Sequence, residues 1–293
     1  MKELIKLIRI HQWLKNLFIF APLFFSGNFL ITEKLTGSFY AFIIFCLNAS
    51  AVYIINDFKD IEKDKLHPTK KERPLASGRI SKQLALVAFA LLSGLSLSFA
   101  YILSTSFFCI LLIYFCMNLI YSFGLKSISL IDVFIIAIGF VLRIIAGGAV
   151  CNIEISHWLY LMTFLLALFI ALAKRRDDVL IEKMTNEKMR GSISGYNIEF
   201  INNSISMLCG VLIVSYILYI TSPEIVTRFH TKYAFISVIF VIAGVLRYLQ
   251  ITLVEKNSGS PTKILIHDTF LKVTIISWIT FFGFLIYYYV PFH

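Results

Sequence analysis

The feature that most constrains this chain is a series of nine apolar runs, each close to the length of a bilayer-spanning helix. The runs lie at approximately 14–31, 38–55, 83–103, 106–124, 128–150, 157–173, 204–222, 233–254 and 270–290. A helix needs about 20 largely apolar residues to cross the hydrocarbon core. Most runs are apolar throughout rather than alternating, which favours lipid-embedded helices over barrel strands. The sequence therefore predicts an all-α integral membrane protein with nine transmembrane helices.

The composition excludes other protein classes. Of the 293 residues, 58% are hydrophobic and only 15% are charged, whereas soluble domains carry about 25% charged residues. The five cysteines are scattered and form no C-x-x-C pair, so neither a disulfide framework nor a cysteine metal site is expected. We expect the membrane to be the partner of this chain and expect no nucleic acid to bind it.

The positions of the basic residues predict an orientation. Lys and Arg concentrate in cytoplasmic loops of membrane proteins. With the N-terminus in the cytoplasm, 22 of the 27 Lys and Arg residues fall on the cytoplasmic side and three fall outside. We therefore expect a multi-pass protein of the cell inner (plasma) membrane with a cytoplasmic N-terminus and an external C-terminus.

Two of the predicted cytoplasmic loops are unusually long and polar. They cover about 56–82 and 174–203, and structureless connections longer than about 12–15 residues are uncommon in compact domains. Each follows an apolar run, and each opens with clustered charges. We predict a single transmembrane domain over 1–293, with these two loops forming a polar cytoplasmic cap that holds the active site.

The first loop opens with an acidic pattern. If the second predicted helix continues into it, Asp57, Asp60 and Asp64 lie on one narrow stripe of that helix. Three carboxylates on one stripe repel each other, and a cation relieves the repulsion. Carboxylate oxygens with the amide of Asn56 suit Mg²⁺. The alternative is a solvated helix end whose acids pair with the interleaved lysines.

Basic residues follow the acids in the same loop. Between 65 and 82 the chain has six Lys or Arg residues and only Glu72 as an opposing acid. Acids that hold a metal, followed by bases that bind anions, are typical of a diphosphate site. Lys70 and Arg73 are the candidate phosphate ligands, and prolines restrain the backbone of His67-Pro68 and Arg73-Pro74. The alternative is that these charges only fix the topology.

The second loop opens with Lys174-Arg175-Arg176-Asp177-Asp178. Lys174 and Asp178 share a helix face at i, i+4, and Arg175 neighbours them. A catalytic or phosphate-binding role and an ordinary helix-end salt bridge both fit this pattern.

Arg143 is the informative charge inside a span. An Arg at a helix centre costs about 2.5–3.5 kcal/mol on insertion scales, so a functional role is the default hypothesis. We expect it to bind a lipid or donor phosphate, together with Lys15, Asn16 or Lys126. An ion pair with Asp132 or with the loop carboxylates is the alternative.

One aromatic residue is a further candidate. Tyr121 is positioned either to hydrogen-bond a substrate or to anchor the chain at the interface.

Several motifs together resemble the UbiA superfamily of intramembrane prenyltransferases. Asn56-Asp57-x-x-Asp60-x-x-x-Asp64 resembles the first Asp-rich motif of that superfamily, and the resemblance extends over essentially the whole chain. Within the superfamily the chain is most similar to the phosphoribosyltransferases that act on decaprenyl-type polyprenyl phosphates. The segments that carry this similarity are 12–16 (Gln-Trp-Leu-Lys-Asn), 67–78 (starting His-Pro-Thr-Lys), 121–126, 142–148 and 173–175.

The resemblance implies a UbiA-type helical bundle and a Mg²⁺-dependent reaction. It implies that 5-phosphoribose moves from phosphoribosyl diphosphate to a polyprenyl phosphate, with release of diphosphate. Asp57, Asp60 and Asp64, with Asn56, would hold Mg²⁺. The residues that would bind or act on the donor are Lys15, Asn16, Lys70, Tyr121, Lys126, Arg73, Arg143, Lys174, Arg175 and Asp178.

The chain departs from the family pattern at two points. The subfamily commonly has Lys-Arg-x-x-Glu where this chain has Asp178, which is one methylene shorter. The second D-x-x-x-D of relatives that use prenyl diphosphates is missing, which argues for a different donor.

Two other functions are compatible with parts of the sequence. Transfer of a prenyl chain from its diphosphate to an aromatic acceptor would use the same metal site. A transporter would carry polar residues near the midplane on interrupted helices, whereas here the charges gather at one membrane face. A homo-oligomer is left open.

Overall fold

The computed structural model describes residues 2–66, 69–185, 191–229, 231–256 and 261–289, and within these ranges it contains helices and no strands. The chain divides into two compact units. Unit 1 comprises Met1–Ile155 and Lys188–Gly195, and unit 2 comprises Ser156–Glu187 and Tyr196–His293. The expectation of one domain over 1–293 stays a prediction.

Unit 1 is built around one long helix. Its α-helices are α1 (Lys2–Leu7), α2 (Ala21–Phe25), α3 (Thr32–Lys59), α4 (Ile61–Leu66), α5 (Lys82–Leu103), α6 (Thr105–Phe123) and α7 (Ile131–Cys151). Short 3₁₀ segments lie at Ile10–Phe20, Lys70–Glu72, Leu125–Ser127 and Gly191–Gly195. Phe45 of α3 packs in a buried cluster with Phe107 and Tyr114 of α6 and Leu142 of α7. This core fixes α3, whose last turn carries the acidic residues.

Unit 2 consists of long helices and their connections. Its α-helices are α8 (His157–Thr185), α9 (Ile198–Ile220), α10 (Pro223–Phe229), α11 (Val238–Leu253), α12 (Pro261–His267) and α13 (Thr269–Phe284). A 3₁₀ segment, Lys232–Ser237, precedes α11, and a π turn, Leu285–Tyr289, follows α13. Asn197 and Asp268 begin α9 and α13 by accepting backbone N–H groups of those helices, at 2.6 and 2.8 Å.

Eight helices of the described chain are long and apolar enough to cross a membrane. They are Thr32–Lys59, Lys82–Leu103, Thr105–Phe123, Ile131–Cys151, His157–Met184, Ile198–Ile220, Tyr233–Leu253 and Thr269–Tyr289. Each corresponds to one of the nine predicted runs. Ser104 has an extended backbone that ends α5, and its hydroxyl accepts from Phe107 N at the start of α6. The boundary predicted near Ser104 is therefore a one-residue connection.

Two predicted boundaries are corrected. We predicted that the sixth span ends at 173 and that a loop covers 174–203, but α8 continues to Thr185 and α9 begins at Ile198. Lys174–Asp178 therefore lies within a helix. The charged residues misled the prediction, because a helix that leaves the hydrocarbon core retains its backbone hydrogen bonds after its side chains become polar.

The first predicted span, 14–31, has an unexpected form. It is built from the 3₁₀ segment Ile10–Phe20 and the short helix α2, with Pro22 at the start of α2. The backbone of Ile19 lies so close to α7 that a Cβ on Gly147 would be 1.9 Å from the Ile19 carbonyl oxygen. Hydropathy detects an apolar run of the right length, but this close backbone approach depends on a glycine far away in the sequence.

Candidate active site

The acidic pattern lies at a break between two helices. Asp57 is in the last turn of α3, Asp60 follows the end of α3, and Asp64 is in α4. The break is slight, because Asp60 N donates to Asn56 O at 3.1 Å and Asp64 N donates to Asp60 O at 2.7 Å. The helical i→i−4 pattern thus continues, and the three carboxylates keep close to the stripe expected of a continuous helix.

Arg73 joins the first and last of these carboxylates. Its Nη1 lies 3.0 Å from Asp57 Oδ1 and 2.6 Å from Asp64 Oδ2. Asp57 and Asp64 are 3% and 4% exposed, so both charges depend on this guanidinium for compensation. One positive nitrogen therefore already occupies a position between two carboxylates of the motif.

Arg9 makes a second contact with the first carboxylate. Both its Nε and its Nη2 donate to Asp57, the Nε bond being 3.1 Å. Its φ of 53° is in the left-handed region at the junction of α1 and the 3₁₀ segment. Burial is the largest effect on the pKa of Arg9 and acts to lower it, but the charge of Asp57 and the hydrogen bond to it, with smaller contributions from nearby groups, together raise this pKa. Arg9 therefore stays charged and compensates the Asp57 carboxylate.

Lys126 holds the central carboxylate. It lies in the 3₁₀ segment Leu125–Ser127 between α6 and α7 and is 6% exposed. Its Nζ is 2.5 Å from Asp60 Oδ1 and 3.2 Å from Asn56 Oδ1. Lys59, one of the alternative partners of the acids, instead lies with its Nζ 4.4 Å from the centre of the Phe123 ring.

The carboxylate oxygens of the acidic pattern are of the kind that binds a divalent cation, but they do not converge on one point. No group of three His, Cys, Asp or Glu side chains within the described ranges is placed to hold a metal ion together. Asp57 and Asp64 converge on Arg73, while Asp60 turns to Lys126. Burial raises the pKa of Asp64, against the opposing effect of Arg73. A cation with a higher charge density would compete with these side chains for the same oxygens.

Arg143 lies in a different part of unit 1 and is 4% exposed. Its Nε donates to Asn16 Oδ1 at 2.7 Å, its Nη1 to Gly139 O at 2.6 Å and its Nη2 to Tyr114 OH at 3.1 Å. None of its contacts in the described part of the chain is a carboxylate, so the alternative of an ion pair with Asp132 does not describe this state. The structure brings Arg143 and Asn16 together, as expected.

In unit 2, Arg175 and Asp178 form an ion pair, and Arg175 is 1% exposed. Arg176, to which no role was assigned, donates to Asn202 Oδ1 at 2.8 Å and to Thr252 O at 2.7 Å, and so ties α8 to α9 and α11. Lys174 is half-buried on the same helix. The catalytic role expected for Lys174 and Asp178 stays a prediction.

The remaining candidates are placed as follows. Lys70 begins the 3₁₀ turn Lys70–Glu72, and its carbonyl accepts from Arg73 N at 2.9 Å. Tyr121 is half-buried near the end of α6, and its side chain makes no hydrogen bond with the described residues. The His67-Pro68 pair lies outside the described residues.

Sequence reasoning missed Arg9, which was counted only as a topology charge. It lies 48 residues from Asp57, and nothing in the local pattern indicates that pairing. The only available signal was its place three residues before the Gln-Trp-Leu-Lys-Asn segment.

Comparison with known proteins identifies the family. The model of the UbiA prenyltransferase family matches residues 18–273. The chain belongs to the UbiA prenyltransferase family. A decaprenyl-phosphate phosphoribosyltransferase of Mycolicibacterium smegmatis is 32% identical over 97% of this chain and 92% of its own length. One from Corynebacterium glutamicum is 32% identical over 94% of this chain and 84% of its own length.

A solved structure agrees with this assignment. A UbiA homolog from Archaeoglobus fulgidus, bound to GPP and Mg²⁺, aligns with a TM-score of 0.70 over 97% of this chain and 99% of its own, at 22% identity. The UbiA-family chain is thus an all-helical, multi-pass integral membrane protein and a transferase. The expected family and the expected all-helical UbiA-type bundle are confirmed, and the ninth membrane helix stays a prediction. The described part of the chain contains eight long helices that are candidate membrane spans.

Proposed function

We propose that this protein transfers the 5-phosphoribosyl group of phosphoribosyl diphosphate to a polyprenyl phosphate of the decaprenyl type, releasing diphosphate. The observation that carries the proposal is the similarity to two decaprenyl-phosphate phosphoribosyltransferases over nearly the whole chain. The acid and base cluster at Asp57, Asp60, Asp64 and Arg73 supports it, because a phosphorylated donor needs both a metal site and cationic groups.

The reaction exchanges one C–O bond for another. The bond between ribose C1 and the diphosphate oxygen breaks, and its electron pair leaves with the diphosphate. An oxygen of the lipid phosphate forms the new bond to C1. Because that phosphate is already anionic, no strong base is required. The oxocarbenium-like centre is stabilised by fixed charges of the site rather than by a covalent nucleophile.

The cofactor we propose is Mg²⁺, held by Asp57, Asp60 and Asp64 with the help of Asn56. When bound, it would neutralise charge on the leaving diphosphate. Arg73 and Lys126 now neutralise these carboxylates, and we propose that they turn to the phosphate oxygens when the donor is bound. Lys70 would assist them, since it begins the same turn that carries Arg73.

The residues of α8 form the second part of the proposal. Arg175 is a buried guanidinium that pairs with Asp178. We propose that Lys174 and Arg175 bind donor oxygens and that Asp178 positions a ribose hydroxyl. Exchange of Asp178 for Glu, which restores the side-chain length common in the subfamily, would then preserve transfer, whereas exchange for Asn would impair it.

Orientation is also proposed. We infer that the segment Ile10–Phe25 makes a ninth crossing, so that the N-terminus is cytoplasmic and the C-terminus external. A 3₁₀ helix rises about 2.0 Å per residue, so its 11 residues cover about 22 Å. The five residues of α2 add about 7 Å at 1.5 Å per residue. Their combined length approaches the hydrocarbon thickness of about 30 Å.

The test is a transfer assay with purified protein, Mg²⁺ and radiolabelled phosphoribosyl diphosphate, with and without polyprenyl phosphate. Label is expected in the lipid phase only when polyprenyl phosphate and Mg²⁺ are both present. Absence of lipid label, combined with turnover of a prenyl diphosphate in the presence of 4-hydroxybenzoate, would instead assign prenyl transfer to an aromatic acceptor.

A further inference from the structure

Lys15 and Arg143 in unit 1 are not neutralised by any carboxylate of the described chain. The Lys15 side chain is half-buried and makes no hydrogen bond or ion pair with the described residues. Arg143 is buried and contacts only neutral partners. Lys15 is the chain neighbour of Asn16, whose Oδ1 accepts from Arg143 Nε at 2.7 Å.

Arg143 is held firmly but is not saturated. The centre of its guanidinium lies 5.0 Å from the centre of the Phe45 ring and 4.9 Å from that of Tyr114. A guanidinium has five N–H donors, and the three bonds to Asn16, Gly139 and Tyr114 leave two. A planar group whose position is fixed by aromatic rings and which keeps free donors is suited to bind a phosphate.

A third polar group lies beside Lys15. Gln12 Oε1 is buried and has no hydrogen-bond partner in the described part of the chain. In a 3₁₀ helix the side chains at i and i+3 eclipse each other, so Gln12 and Lys15 lie on one row of the segment Ile10–Phe20. Arg9 lies three residues before Gln12, at the start of this row, and donates hydrogen bonds to Asp57 of the proposed metal site.

We infer that Lys15 and Arg143 form the binding site for the phosphate of the isoprenoid acceptor, separate from the Asp57–Asp64 cluster that takes the donor diphosphate. This inference rests on the proposed function for the identity of the acceptor. Both cations lie in a bundle of apolar helices, where an anion that carries a hydrocarbon tail enters more easily than a soluble one. The acceptor phosphate therefore supplies the negative charge that the chain does not.

The test is equilibrium binding of radiolabelled farnesyl phosphate to the full-length protein in detergent, with EDTA to exclude binding through a metal. Lys15→Met should weaken binding about tenfold or more, because a charge-assisted contact with phosphate is lost. Lys15→Arg, which keeps the charge, should bind within about threefold of the unsubstituted protein. Lys34→Met, which removes a half-buried lysine at the start of α3, is the matched control and should have no effect.

Two competitors distinguish the source of the phosphate. Farnesol, which lacks a phosphate, and ribose 5-phosphate, which lacks a tail, should both fail to displace farnesyl phosphate. Equal binding by Lys15→Met and Lys34→Met, or displacement by ribose 5-phosphate, would overturn the inference. A thermal unfolding profile of each variant identifies those that do not fold, and the Lys15→Arg variant keeps the test decisive in that case.

Kinetics separate this inference from the proposed function. In the transfer assay Lys15→Met should raise KM for polyprenyl phosphate about tenfold and leave KM for phosphoribosyl diphosphate within about twofold. The reverse pattern would place Lys15 at the donor. If the unsubstituted protein transfers no phosphoribose but farnesyl phosphate still binds through Lys15, the proposed function fails and the binding site stands.

Discussion

Individual charges in unit 1 are compensated by partners far away in the sequence. Asp57 has Arg9 and Arg73, Asp64 shares Arg73, and Asp60 has Lys126. Removing one partner of a buried pair costs more than the pair contributes, because the other charge is left without compensation. Substitutions in this cluster therefore affect stability and function together, and each test needs a measurement of both.

Asp60→Asn should reduce phosphoribosyl transfer about 100-fold to 1,000-fold, because it removes one of the charges that we propose to hold the metal and the donor. The measurement is the initial rate of lipid labelling at saturating Mg²⁺. Glu62→Gln is the matched control, since Glu62 is exposed in the same segment and, among the described residues, pairs only with Lys65. Full activity of Asp60→Asn would remove Asp60 from the proposed metal site.

Arg9→Gln should destabilise the protein by about 1.5–3 kcal/mol, the range for hydrogen bonds to a charged group. Because Arg73 is then the one cation left at Asp57 in the part of the chain that the structure describes, Mg²⁺ should stabilise this variant more than it stabilises the unsubstituted protein. Thermal unfolding in detergent across a Mg²⁺ series measures both effects.

Two further variants sharpen the Arg9 experiment. Arg9→Lys keeps the charge but not the bidentate contact with Asp57. Its stability, and its stabilisation by Mg²⁺, should therefore lie between those of Arg9→Gln and the unsubstituted protein. Lys6→Gln, which affects an exposed pair with Glu3, should behave like the unsubstituted protein. Equal stabilisation of Arg9→Gln and the unsubstituted protein by Mg²⁺ would show that Arg9 does not compete with the metal.

The 3₁₀ segment Gly191–Gly195 in the second polar loop, called the strap below, packs against the segment that carries Lys126. Ser129 Oγ donates to Ser192 O at 2.6 Å, and Ser192 Oγ donates to the buried Asp132 at 3.0 Å. The strap thus packs against the residues directly after Lys126. It links part of the second loop to the acidic cluster of the first.

Gly195→Ala should loosen this strap, because the new Cβ would lie 2.1 Å from Ser129 Oγ. Overpacking of this kind costs about 1–3 kcal/mol, and a shift of Lys126 should also raise KM for phosphoribosyl diphosphate. Adding Ser129→Gly to Gly195→Ala should restore both values in part, since it removes the side chain that clashes but also the hydrogen bond from Ser129 to Ser192. Gly94→Ala, where no atom lies within 4 Å of the new Cβ, is the control. No rescue by the double variant would refute the proposed contact.

The sequence predicts some elements well and others not at all. The long spans follow from local hydropathy, and the stripe of Asp57 and Asp64 follows from helical periodicity. The 3₁₀ form of Ile10–Phe20 is not predicted, and neither is the close approach of its backbone to Gly147, which is far away in the sequence. The pairs Arg9–Asp57 and Lys126–Asp60 join residues 48 and 66 positions apart, and a single sequence carries no signal for such distances.

For the whole molecule, the number of crossings decides which side each terminus faces. Eight helices alone would place both termini on one side of the membrane, whereas a ninth crossing by Ile10–Phe25 separates them. We expect a C-terminal alkaline phosphatase fusion to be active and a C-terminal green fluorescent protein fusion to be dark, because we propose that the C-terminus is external. The opposite result, with a cytoplasmic N-terminus, would show that Ile10–Phe25 does not cross.

The 3₁₀ form of the first segment also determines how it tolerates change. An α-helix repeats every 3.6 residues, so its rows of side chains wind around the axis, but a 3₁₀ helix repeats every three residues and its rows run straight. The buried residues of this segment, Asn16 and Ile19, are three apart. Mutational sensitivity along Ile10–Phe20 should therefore recur at every third position. Inserting a single residue would rotate all later side chains of the segment by about 120° around the helix axis.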